Sequence, residues 1–251
     1  MITRQFIAQL ATKYQTIEQN VAREYCQHLF LSYFYKKAGS EKIVFKGGTA
    51  LRIIFNSPRF SEDLDFSAAD GGITTYPQIN RLVDETLDDI RKEGTQCEKE
   101  IKSGTQGETS GGYFAVIKLK MLEFDSEIQL QISFRNPDKV VVNTTLVQSD
   151  FTAPYVVIYL VEDILVAEKI QALLKRKNPR DFFDLYFILR NPRLIKYIPR
   201  KAGLKDEVLN TLAQTSNLEK ELKIFLPVSL QNTVLKDFAE RLKREIEAYL
   251  S

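Results

Sequence analysis

Phe45-Lys46-Gly47-Gly48-Thr49-Ala50-Leu51, followed by Arg59-Phe60-Ser61-Glu62-Asp63-Leu64-Asp65-Phe66, is the stretch on which the reading of this chain turns. Lys42-Ile43-Val44-Phe45 is short and apolar, as a buried strand is. Gly47-Gly48 follows at once, and Thr49 to Phe55 reads as a helix that Asn56-Ser57-Pro58 breaks. Glycine permits a positive φ and leaves room for a ligand. Amides at the start of a helix favour anions such as phosphate, and Thr49 adds a hydroxyl there. Ser61 to Ser67 then alternates polar and apolar residues and reads as a second strand. That alternation sets Asp63 and Asp65 on one side and turns Leu64 and Phe66 into the core. Two carboxylates so placed are hard oxygen ligands for Mg²⁺. Their mutual repulsion also makes a cation their natural partner. A lone Asp-Leu-Asp or Gly-Gly is commonplace; strand, Gly-Gly-Thr, helix and then a paired-aspartate strand is a much rarer order.

Working outward, residues 4–37 read as helix, with Phe6, Ile7, Leu10, Tyr14 and Ile17 at helical spacing. Pro77 to Glu93 is a further helix, and Gln96 to Ser110 a strand with a polar loop. Tyr113 to Leu122 and Glu127 to Phe134 read as antiparallel strands joined near Glu123-Phe124-Asp125-Ser126. Val140 to Val147 and Tyr155 to Leu160 are short strands. From Val161 the texture turns helical: Glu162 to Lys177, Arg180 to Leu189, and weaker helices over 204–213, 217–226 and 232–250. The expectation is an α+β fold, with a mixed-sheet core and its N-terminal helices over 1–160. A helical C-terminal domain over 161–251 contributes to the site.

Composition narrows the rest. The 251 residues suffice for one large domain or two small ones. A formal net charge of +2 neither demands nor excludes a nucleic-acid partner. No run approaches the ~18–20 apolar residues that cross a bilayer. The N-terminus lacks the continuous apolar stretch of a secretory signal. Cys26 and Cys97 stand far apart and make neither a metal spacing nor a disulfide framework, which fits a reducing cytoplasm. His28, the single histidine, reads as structural, because one imidazole makes neither a zinc site nor a triad.

The quoted stretch resembles the nucleotidyltransferase signature of the DNA polymerase β-like superfamily, and more closely the AbiEii/AbiGii toxin family. Asp163-Ile164-Leu165-Val166-Ala167-Glu168-Lys169 and Arg180-Asp181-Phe182-Phe183-Asp184-Leu185-Tyr186 extend the resemblance to roughly residues 42–190. It implies a polymerase β-like core. It also implies transfer of a nucleoside monophosphate from a nucleoside triphosphate (NTP) to an acceptor, with Mg²⁺ or Mn²⁺ as cofactor. The family's positions carry over one by one. Gly47, Gly48 and Thr49 would hold triphosphate, and Asp63 and Asp65 the metal. Ser61 occupies an active-site hydroxyl position, Lys169 would contact phosphates, and Asp181 would complete the site, with Arg180 and Asp184 as further candidates. The acceptor implied is tRNA or another RNA, and the biological partner a separately encoded antitoxin.

The residues also admit other readings. Lys169 would pair with Glu168 on a solvated helix, and Arg180 with Asp184 four residues on. Polymerase β-like enzymes usually take a third carboxylate from a later strand. Here the polar face of that strand reads Glu127, Gln129, Gln131, Ser133. Either Glu127 is that ligand, or the site runs on the two aspartates with Lys169 and Asp181, the reading favoured. Tyr113, Lys118, Lys120 and Arg135, or the cluster Lys175, Arg176, Lys177 and Arg180, would line a polynucleotide groove, unless they are solvated charges. Rival functions are modification of a protein or small molecule by the same core, and a non-catalytic binding module of this fold.

Overall fold

The computed structural model describes residues 2–69, 75–102, 112–135 and 140–250. The chain divides into two compact units, one running to Asn56 and then from Phe60 to Leu160, the other taking Ser57–Arg59 and everything from Val161.

The first unit opens with α1 (Arg4–Tyr14) and α2 (Glu18–Phe34). One continuous helix was the sequence expectation. The chain instead breaks at Gln15, which takes a left-handed conformation and returns its N–H to Ala11 and Thr12 carbonyls. No glycine or proline marks that break, so periodicity runs straight through it. There follow β1 (Ile43–Lys46), α3 (Gly47–Phe55), β2 (Asp63–Ala68), α4 (Tyr76–Lys92) and β3 (Gln96–Ile101). The loop expected after β3 lies outside the described residues. The unit continues with β4 (Gly112–Met121), β5 (Phe124–Ser133), β6 (Val142–Val147) and β7 (Tyr155–Leu160). The β4–β5 turn is tighter than expected, because Leu122 accepts a positive φ of 54° and lets Met121 pair with Phe124.

Among the described residues these strands form one seven-stranded sheet in the order β3-β4-β5-β2-β1-β7-β6. The pairings are mixed: β2 runs parallel to β5 and β1 to β7, while β1–β2, β3–β4, β4–β5 and β6–β7 are antiparallel. Alternation decides the two faces. Phe45, Leu64, Phe66, Leu130 and Ile132 are buried on one, and α2 packs Phe34 against Phe66 at 5.6 Å between ring centres. The opposite face of the central strands carries Lys46, Asp63, Asp65, Gln129 and Gln131.

The second unit contains α5 (Glu162–Arg176), α6 (Pro179–Arg190), α7 (Leu204–Ala213), α8 (Leu218–Leu222), α9 (Val228–Thr233) and α10 (Phe238–Tyr249). Asn178 caps α6 by accepting from the Arg180 N–H at 3.0 Å, and Pro179 fills its first turn, where no N–H is needed. Phe183 of α6 stacks on Phe238 of α10 at 5.8 Å, at the centre of this helical core. Among the described residues, no helix is long and apolar enough to cross a membrane.

Candidate active site

The diglycine turn and the aspartate strand meet. The β1–β2 register sets Lys46 opposite Asp65. The next residue, Gly47, turns the chain with φ +85°. A Cβ built on Gly47 would lie 2.2 Å from Asp65 Oδ2 and 2.7 Å from Asp65 Cβ. Glycine is required there twice over, for its conformation and for the space that the Asp65 side chain fills. Asp63 and Asp65 are half-buried, with Leu64 and Phe66 buried between and beyond them, as the alternation requires.

Thr49 is buried and donates its hydroxyl to the main-chain carbonyl of Asp63. It braces the start of α3 against β2, where the sequence reading put its hydroxyl at triphosphate. Gly48 is buried in the same turn. Ser61 is half-buried, and its carbonyl accepts from the Gln27 amide of α2 at 3.0 Å. Glu62 beside it pairs with Arg23 at 3.1 Å. Helix α2 thus holds the approach to the aspartate strand from both residues.

The parallel register sets Gln129 beside Asp63 and Gln131 beside Asp65. The strand position adjoining the second aspartate therefore holds a neutral amide. Glu127 lies two residues earlier and is exposed, facing Lys118 across the hairpin at 4.0 Å. Among the described residues, no three His, Cys, Asp or Glu side chains cluster as a metal site. Two carboxylates suffice for Mg²⁺ where substrate phosphates and water complete the shell, so this donor set fits such an ion.

In the second unit, Asp184 is the hub. Arg59 donates from Nε at 2.9 Å and Nη2 at 2.8 Å to Asp184 Oδ1, and Lys169 donates from Nζ at 2.7 Å to Oδ2. Arg59 and Asp184 are 3% and 1% exposed, and the Lys169 side chain 13%. Burial alone would raise the Asp184 carboxyl, but Arg59 and then Lys169 outweigh it and hold it below the usual carboxylate range. Lys169 is therefore no solvated lysine beside Glu168, and Asp184 does not pair with Arg180. Arg180 instead lies 5.0 Å over the Phe225 ring.

Asp181, one turn before Asp184, is 7% exposed, and its Oδ2 is buried without a hydrogen-bond partner. Burial raises its carboxyl, the neighbouring Asp184 adds to that, and Lys169 opposes it. A buried, unsatisfied carboxylate oxygen is costly and marks a place where a donor or cation is wanted.

Sequence reasoning passed over two residues. Lys46 was hidden by its place at the end of a buried strand, although it abuts the glycines. Arg59 stands inside the quoted stretch, but its partner is 125 residues away. Of the residues expected along a polynucleotide groove, Tyr113 is corrected outright. It is 1% exposed, on the core face of β4, with Tyr76 at 5.4 Å between ring centres. Lys118 and Lys120 do project from the other face, while Lys175, Arg176 and Lys177 are exposed at the end of α5.

This sheet and its glycine turn define a nucleotidyltransferase fold. It is similar to MenT4, a nucleotidyltransferase toxin from Mycobacterium tuberculosis H37Rv, with a TM-score of 0.64 at 18% identity over 98% of this chain and 89% of that one. It is also similar to JHP933 from Helicobacter pylori, with a TM-score of 0.60 at 18% identity over 93% of each chain. No curated protein sequence gives a significant match. The family model described as "Nucleotidyl transferase AbiEii toxin, Type IV TA system" matches residues 29–251, and the chain belongs to that family.

Proposed function

We propose that this chain moves a nucleoside monophosphate from an NTP to an RNA acceptor, with tRNA the acceptor favoured, as the toxin of a toxin–antitoxin pair acting in the cytoplasm. The observation that carries the reading is the lodging of Asp65 against the Gly47 turn, at the start of α3, where helix-start amides favour phosphate. Asp63 and Asp65 would hold Mg²⁺ or Mn²⁺. Such an ion, when bound, neutralises triphosphate charge and polarises the phosphorus under attack. The amides of Gly47 and Gly48 orient the phosphates, and Ser61 lies two residues ahead of the first aspartate as a further contact. Lys169, held by Asp184, is proposed to contact phosphate. Asp181, with its raised carboxyl and open oxygen, is proposed to accept a hydrogen bond or a proton from a reactant. Arg180 contributes local positive charge. The family description speaks for a cognate antitoxin as protein partner.

The test is incubation of the protein with each labelled NTP, Mg²⁺ or Mn²⁺, and total RNA or total protein in parallel. Label entering RNA, and lost with Asp63→Asn, supports the reading. Label entering protein instead moves the acceptor to the rival class. No transfer with any NTP removes the enzymatic reading.

A further inference from the structure

Two cations meet one anion in the helical unit. Arg59 occupies Asp184 Oδ1 with two hydrogen bonds, which leaves Oδ2 to Lys169 alone at 2.7 Å. An isolated Lys169–Asp184 pair would be electrically neutral and would offer little to an anion. With Arg59 present these three side chains sum to one net positive charge, beside Asp181, whose buried carboxyl lies in the same field, and the outer member is Lys169, the least buried of them. Such a cluster costs desolvation, so a purely stabilising role would be served as well by apolar packing.

We propose that Arg59 is a positioning residue that compensates Asp184, so that Lys169 is held in one place without losing its charge to that carboxylate and ready for a phosphate. The guanidinium suits this task, because two of its N–H groups converge on Oδ1 and leave Oδ2 to the lysine, and because it cannot lose its proton. The inference rests on the reading of Lys169 as a phosphate contact. It goes beyond that reading in assigning the arginine ahead of the aspartate strand to the same task.

The charge count gives the test. Inorganic triphosphate with Mg²⁺ is titrated calorimetrically into the full chain, with circular dichroism to follow folding. Lys169→Met and Arg59→Met are each expected to weaken binding about tenfold, roughly one lost charge contact. Arg59→Lys, which keeps the charge but not the fork, is expected to stay within about threefold of wild type. In Arg59→Met with Asp184→Asn, one net positive charge returns to Lys169, and affinity is expected to recover to within about threefold of wild type. A structural role makes the opposite forecast: Arg59→Met binds normally but melts earlier, or the double variant binds no better than Arg59→Met. Either result overturns the proposal. If Arg59→Met does not fold, the double variant decides, since it removes the fully buried carboxylate together with its guanidinium and leaves only Lys169, the least buried of the three, charged. Near-normal binding by it supports the proposal, and loss of binding overturns it. Unaltered binding by Lys169→Met would instead remove the phosphate reading itself and this inference with it.

Discussion

At Gly47 a conformation and a contact coincide, and both forbid a side chain. Alanine there would carry the strain of a positive φ, about 1 kcal/mol or more, and would displace the Asp65 carboxylate that its Cβ meets. Gly47→Ala is expected to lower the melting temperature and to abolish nucleotide transfer even in the folded fraction. Normal turnover in that variant would mean that Asp65 need not sit where it does. The residues around this contact were legible to different degrees. Asp63 and Asp65 could be placed on one side by alternation alone. That Thr49 gives its hydroxyl to the Asp63 carbonyl could not, because which acceptor a buried hydroxyl finds depends on a strand crossing. Arg59 was unreadable for the same reason: its carboxylate partner is brought from another helix by tertiary packing.

At the scale of elements, β2 is flanked by β1 and β5, and both registers converge on Asp65: Lys46 on one side, Gln131 on the other. The sequence identified both strands and the polar face of β5, but not their pairing, since a one-residue slip would invert every face. The register decides that Gln131, and not Glu127, adjoins Asp65. Gln131→Glu is therefore expected to add a third charged ligand and to tighten Mn²⁺ binding by about tenfold, because affinity at such sites follows ligand charge. Glu127→Gln is expected to leave it unchanged. Calorimetric titration with Mn²⁺ checks both, and the reverse pattern would show that the strand sits in another register. The break between α1 and α2 lay beyond reach of the sequence, since it rests on a glutamine accepting a left-handed conformation.

For the whole molecule, stability in mild acid should be governed by one buried imidazole. His28 Nδ1 shares a 2.7 Å hydrogen bond with the Tyr155 hydroxyl, and the ring lies 5.1 Å from that of Phe151. Burial first, and Arg52 second, push its pKa down to about 3. The folded protein therefore keeps His28 neutral while the unfolded chain, near pKa 6.5, takes up a proton. The contribution is complete above pH 6.5 and is lost progressively as pH falls toward 3. Asp184, also depressed, adds its own loss, but only below the usual carboxylate range. Asp181, raised by burial, acts in the opposite direction. The melting temperature of the wild type is expected to fall between pH 7 and pH 5, and that of His28→Gln to fall less over the same interval. Equal losses in the two would place the acid sensitivity elsewhere.

The composition allowed two units, and the texture of the sequence turns helical after residue 160. Ser57–Arg59 nevertheless belongs with the helical unit, although it lies within the first unit's span of sequence. Within that unit the buried Arg59 finds its carboxylate on Asp184, and no shift in composition marks the segment.

The most direct measurement is of Mn²⁺ binding in the presence of inorganic triphosphate, followed by electron paramagnetic resonance of the free ion. The wild-type chain should remove Mn²⁺ from the free pool, and Asp63→Asn and Asp65→Asn should each lose most of that capacity while keeping wild-type circular dichroism. Undiminished binding by both folded variants would contradict the claim that this carboxylate pair holds the metal–triphosphate.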